Sequence, residues 1–171
     1  VPALIDAMED DTTRIRASYA IGSMARVAEA AVPALVRALA SDDQYLRAEA
    51  ARSLHRIGQP AVRSLIEALS NDNSELRQRS LRVLADLSPL PNEALSAMTK
   101  MFQDEDVNVR RGAVESLGKV GRPAVPHLIQ TAKSGQLSAA QLACRTLWEI
   151  GPAAEEAVPD LLAGLCGTGE F

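Results

Sequence analysis

The phrase Val-Pro-Ala-Leu at Val1 returns at Val32, becomes Val-Arg-Ser-Leu at Val62 and Val-Pro-His-Leu at Val125, and ends as Val-Pro-Asp-Leu at Val158. Leu95 fills the remaining slot, so the six starts lie 31, 30, 33, 30 and 33 residues apart. Self-similarity at a fixed period of this size restricts a chain to repeat architectures. One supersecondary unit is copied, and each copy buries its apolar face against its neighbours.

Within a copy the apolar residues fall three and four apart, as in Val32, Leu35, Val36 and Leu39, or Val62, Leu65, Ile66 and Leu69. This is the spacing of one helical face. Proline in second place (Pro2, Pro33, Pro126, Pro159) suits a first helical turn, where its missing N–H leaves no bond unmade. An acidic turn follows (Glu9-Asp10-Asp11, Asp42-Asp43, Asp72, Asp104-Glu105-Asp106) and supplies caps for a second helix. That helix reads Leu46-Arg47, Leu76-Arg77 or Val109-Arg110, then a small residue, then Leu54, Leu84, Leu117 or Leu147, then Ile57, Leu87, Val120 or Ile150. Gly58, Gly121 and Gly151 stand where a left-handed residue closes the helix.

The pattern predicts an all-α fold: an α-solenoid of about five and a half stacked helical hairpins. The repeats run near 1–31, 32–61, 62–94, 95–124 and 125–157, with a half repeat at 158–171 whose first helix, Val158 to Leu165, lacks a partner. A single solenoid that is part of a longer array, or that pairs end to end, is the expectation. Linkers between copies alternate in length, 5 residues from Ile57 to Val62 and from Val120 to Val125 against 8 from Leu87 to Leu95 and from Ile150 to Val158. The alternation suggests a unit of two hairpins. In the first copy Ile15-Arg16 is read as the counterpart of Leu46-Arg47, which brings Ile21-Gly22 in two residues early and predicts an irregular turn between Arg16 and Ile21.

Composition narrows the function classes. Hydrophobic residues make up 47% and charged residues 23%, as in soluble globular proteins, while only 3% are aromatic, so the core rests on Ala and Leu. No apolar run of eighteen residues and no signal-peptide pattern is present. Cys144 and Cys166 lack zinc-site spacing and are read as reduced thiols in a helical interior, which places the chain in the cytoplasm. His55 and His127 belong to different repeats without acidic or cysteine ligands at metal spacing. No phosphate loop or nucleophile elbow is present, so neither an enzyme nor a metal or other cofactor is expected.

The succession of Val-Pro-Ala-Leu, acidic turn, Leu-Arg, small residues and Ile-Gly resembles the HEAT-like repeats of phycobilisome lyase subunits. The resemblance extends over essentially the whole chain and implies a fold more firmly than a function. The fifth copy departs from it, with Ser134-Gly135 for the acidic turn and Ala140 for the arginine, so turn-to-arginine bonding should be lost there. The resemblance also implies that second helices line the concave face.

Charge is distributed unevenly. The second-helix segments 13–25, 46–58, 76–88, 109–121 and 139–151 hold twelve basic and four acidic residues, a net of +8, and the remainder carries −12 of the overall −4. Arg47, Arg77 and Arg110, with Asp42, Asp72 and Asp104, are read as a structural ladder that fastens turns within and between repeats. Arg52, Arg82 and Arg145 share one position on the helix, and with Arg56, Arg79, Arg111 and Lys119 they form a candidate basic track. Guanidinium groups favour two-point pairing with carboxylate or phosphate. Trp148 and Tyr19 are candidate contact anchors, with packing of Trp148 against the last hairpin as the plainer reading.

These features point to a non-catalytic protein-interaction scaffold that binds an acidic segment or surface of a partner. Nucleic-acid backbone binding by the same face and an accessory role in a bilin-lyase-type system remain open alternatives, the former disfavoured by the scarcity of aromatic residues for stacking.

Overall fold

Helix α3 (Val32–Ala38) forms where the apolar spacing places it, with Pro33 in its first turn and Val32, Leu35 and Val36 turned inward. A turn over Leu39 to Asp43 reverses the chain, and α4 (Gln44–Ile57) returns along α3. The other first helices are α1 (Pro2–Asp6), α5 (Val62–Ala68), α7 (Asn92–Lys100) and α9 (Val125–Ala132). Their partners are α2 (Arg14–Ser23), α6 (Ser74–Asp86), α8 (Val107–Val120) and α10 (Leu137–Ile150). These assignments come from a computed structural model that describes residues 2–8, 10, 12–23, 29–157 and 159. No strand occurs among the described residues. Val1, Glu9, Asp11, Val158, Cys166 and the rest of the expected half repeat after Pro159 lie outside them.

The chain divides into two compact units, residues 1–89 and 90–171. In the first, α2 lies against α4 and α4 against α6, while α3 lies against α5. In the second, α8 lies against α10 and α7 against α9. Each unit therefore has a layer of first helices and a layer of second helices, with the core between them. The second-helix stripe supplies that core: Leu46, Ala50, Leu54 and Ile57 are buried in α4, and Val109, Ala113 and Leu117 in α8. Its second place holds Ala50, Ser80, Ala113 and Ala143, all fully buried, because a larger side chain there would hold the two layers apart.

The short linkers share one conformation. Gly58 and Gly121 have φ near +75° and +72° with ψ near −134° and −137°, and a 3₁₀ turn follows each, Gln59–Ala61 and Arg122–Ala124. Gly151 is similar, with φ 66° and ψ −137°. These glycines therefore adopt the mirror image of the extended region rather than the left-handed helical conformation expected from sequence, and both regions favour a residue without Cβ. The two long linkers differ from each other: one contains the cis Ser88–Pro89 peptide, the other the 3₁₀ turn Gly151–Ala157.

The irregular turn expected between Arg16 and Ile21 is absent, since α2 is a continuous α-helix from Arg14 to Ser23. Ala17 and Ile21 are buried while Ile15 is 37% exposed, so the stripe runs through Thr13, Ala17 and Ile21. Thr13-Arg14, not Ile15-Arg16, is the counterpart of Leu46-Arg47. Local bonding agrees: Asp10 accepts from the N–H of Thr12 at 2.7 Å and from that of Arg14 through its carbonyl at 2.9 Å, as Asp43 does for Tyr45 and Arg47. The two missing residues fall ahead of α2, between Val1 and Thr13, which stand 12 apart against 14 for Val32 and Leu46.

Candidate protein-binding face

The second helices are held in register by caps. Asp43 accepts from the N–H groups of Tyr45 and Leu46 at 2.8 and 3.3 Å, Asn73 from those of Glu75 and Leu76 at 2.9 and 3.1 Å, and Asp106 from that of Asn108 at 2.7 Å. Each satisfies donors that the helix start leaves open. These bonds to the charged form hold the Asp43 carboxyl below the usual carboxylate range, the Tyr45 N–H contributing most and Arg14 adding to it. At the start of α10, Gln136 makes no such side-chain bond, in keeping with the altered turn of the fifth copy.

Arg47, Arg77 and Arg110 turn back onto the turns that precede them. Nη1 of Arg47 donates to the carbonyls of Ser41 and Asp42 at 2.8 and 2.7 Å, and that of Arg77 to those of Asn71 and Asp72 at 2.8 and 2.9 Å. Arg110 donates to the carbonyls of Asp104 and Glu105 at 2.6 and 2.9 Å. The acceptors are backbone carbonyls rather than the carboxylates of Asp42, Asp72 and Asp104 that the charge pattern suggested; the Asp104 carboxylate accepts from the N–H of Asp106 instead. Between repeats, Arg14 pairs with Asp43 at 3.2 Å, and the Ser53 hydroxyl donates to the carbonyl of Ser18 at 2.7 Å, both across the α2–α4 contact.

The candidate track separates into fixed and available groups. Arg79 is half-buried: its Nη1 donates to the carbonyl of Leu39 at 2.6 Å and its Nη2 pairs with Glu75. It therefore fastens α6 to the end of α3 rather than standing free for a partner. Arg145 pairs with Glu149 at 3.1 Å. Arg52 is 71% exposed in its side chain and reaches Glu49 only at 3.6 Å. Arg56 lies exposed over the ring of Tyr19. Arg82 and Arg111 are exposed on α6 and α8, and Lys119 is exposed on α8. Glu115 occupies in α8 the position of Arg52 and Arg82, so carboxylates interrupt the track in the second unit.

In the first unit Arg52, Arg56 and Arg82 border a trough between α4 and α6, two adjoining hollows of about 320 and 310 Å³ that share Ala51, Val83 and Asp86. The small residues Ala48, Ala51 and Val83 that leave this space open form no sequence motif. Only their places on facing helices bring them together.

Trp148 is 82% exposed, so its packed reading does not hold. Cys144, expected inside, is exposed as well. Both lie on the flank of α10 that corresponds to Val114 and Gly118 in α8, which α10 covers. Tyr19 is 54% exposed. His55 is exposed on α4 and His127 half-buried on α9. Among the described residues no three His, Cys, Asp or Glu side chains converge on a point that holds a metal ion, and no helix is long and apolar enough to cross a membrane.

A sequence model described as HEAT repeats matches residues 1–85 and 62–140. None of the curated proteins compared matches the chain. Among solved structures, the chain is similar to one from a study of microtubule plus-end tracking by XMAP215, CLIP-170 and EB1, at 20% identity and a TM-score of 0.64, covering 91% of this chain and 73% of that one. It is also similar to a chain from the complex of CpcE and CpcF of phycocyanin lyase from Nostoc sp. PCC7120, at 21% identity and a TM-score of 0.54, covering 78% of this chain and 89% of that one. At these identities the likeness carries the fold alone.

Proposed function

We infer that this chain, which belongs to the HEAT-repeat family, is a non-catalytic protein-interaction scaffold that holds an acidic segment or surface of a partner on its second helices. The observation that carries the reading is the grouping of Arg52, Arg56 and Arg82 on α4 and α6 beside two adjoining hollows in which Asp86 is the one lining carboxylate among the described residues. Arg47 and Arg79 add to the positive field there. A carbonyl that accepts their hydrogen bonds is neutral and leaves the guanidinium charge in place, although Glu75 offsets part of it at Arg79. An anionic partner gains from that field during encounter and from two-point pairing once docked.

The test is capture of partner from lysate by the wild-type chain and by the folded triple variant Arg52→Glu, Arg82→Glu, Arg145→Glu, each with and without nuclease. Nuclease-resistant capture lost in the variant supports the reading. Equal capture by both chains removes the arginine face from consideration, and nuclease-sensitive capture replaces a protein partner with nucleic acid.

A further inference from the structure

The trough between α4 and α6 is built from two kinds of surface. Its floor is Ala48 and Ala51 of α4 facing Val83 of α6, three apolar side chains too small to fill the space between the helices. Its rim is cationic at both ends, with Arg52 and Arg56 beside one hollow and Arg82 beside the other, and the carboxylate of Asp86 borders both. A purely anionic ligand would satisfy the rim and leave the floor in water. A purely apolar one would strip water from the guanidinium groups without replacing their hydrogen bonds, which is unfavourable. The complementary occupant has an apolar side chain for the floor and carboxylates on either side of it, the arrangement of an anchor residue inside a polar border.

We propose that this trough is the docking site of a partner peptide segment in which one aliphatic side chain is flanked on both sides by carboxylates. The proposal rests on the acidic-partner reading above and adds to it the apolar anchor and its place. Arg56 is positioned for such a segment because the Tyr19 ring supports its guanidinium, and Arg52 because its ion pair with Glu49, the one it makes among the described residues, is long at 3.6 Å and open to exchange. Arg82 makes no hydrogen bond or ion pair among the described residues, so its donors are available without breaking an existing contact.

Two fluorescein-labelled peptides of equal charge separate the terms: Glu-Glu-Leu-Glu-Glu and Glu-Glu-Ser-Glu-Glu, titrated against the full chain at low salt. The leucine peptide should bind about ten-fold more tightly, the order expected for burying one aliphatic side chain. Ala48→Leu, at an exposed helical position where leucine is a good helix former, should fill the floor and abolish that preference. Arg52→Glu with Arg82→Glu should weaken both peptides. Equal binding of the two peptides by the wild-type chain, with both lost in the arginine variant, overturns the trough proposal and leaves the acidic-partner reading standing. Binding of both peptides unaffected by the arginine variant overturns the reading itself. Thermal melts of each variant confirm that the fold is retained.

Discussion

The guanidinium of Arg56 sits over the ring of Tyr19, 5.1 Å from its centre, and so couples the second helix of one repeat to that of the next. Tyr19 occupies on α2 the position that Arg52 and Arg82 occupy on α4 and α6. An aromatic face there holds the neighbouring cation by attraction to its ring electrons while leaving the charge uncompensated.

Tyr19→Leu therefore keeps the net charge and the fold but frees Arg56. Affinity for an acidic peptide should fall about two- to five-fold, corresponding to roughly 0.5–1 kcal/mol for an exposed cation–aromatic contact. A titration in which Tyr19→Leu and wild type coincide would show that Arg56 takes no part in binding or needs no support.

Gly58 and Gly118 should respond oppositely to alanine. A Cβ at Gly58 meets nothing closer than the His55 carbonyl at 4.0 Å, yet φ of +75° is unfavourable for any L side chain, so Gly58→Ala should destabilise by about 1–3 kcal/mol. Gly118 is helical, and a Cβ there would lie 3.6 Å from Oε2 of Glu149, an ordinary contact. Gly118→Ala should be neutral or stabilise by up to about 1 kcal/mol through helix propensity. Denaturant midpoints measured on both variants decide the sign in each case.

The unequal capping of the second helices gives another pair. Asn73→Ala removes the acceptor for two N–H groups at the start of α6 and should lower stability by about 1 kcal/mol. Gln136→Asp supplies the acceptor that α10 lacks and should raise it by a similar amount. If the aspartate leaves the melting temperature unchanged, the altered turn of the fifth copy positions residue 136 wrongly for capping.

Acid should weaken the first unit through Asp43. Its carboxyl is held below the usual range in the folded chain, so the stabilisation it contributes is present above the ordinary carboxylate value and is lost as pH falls through the lowered folded value, a window below about pH 4. Asp43→Asn keeps a capping oxygen that does not titrate. The gap in melting temperature between wild type and this variant should hold from pH 6 to about pH 4 and narrow below it, and a gap constant down to pH 2 would show that titration at Asp43 does not contribute.

The sequence discloses the repeat, both helices of each hairpin and the buried stripe, because those features depend on local spacing and recur at every copy. The register of the first copy is less legible, since a two-residue shortening fits equally well inside α2 or ahead of it. Asp10, three residues before Thr13 as Asp43 is before Leu46, was the available signal. The ladder arginines are evident as a column, but their acceptors are carbonyls, which side-chain identities do not disclose. For Arg79 the acceptor is the carbonyl of Leu39 in the preceding repeat. Residue type alone places Cys144 in the interior, and the size of Trp148 within its column admits either packing against the last hairpin or a contact anchor, whereas the exposure of both depends on what lies beside α10. The trough floor has no signature in the sequence, because Ala48, Ala51 and Val83 are ordinary residues until two helices face each other.

The paired carbonyl contacts of Arg47, Arg77 and Arg110 make each guanidinium a length gauge. It spans two successive peptide groups five and six residues behind its own, and a turn one residue longer or shorter would present the wrong oxygens. Variation in length accordingly falls outside the three turns so gauged: in the linkers of 5 and 8 residues after the second helices, and in the first copy ahead of Thr13. Insertions for engineering belong at those linkers, while the turn inside each hairpin should tolerate changes of side chain but not of residue number.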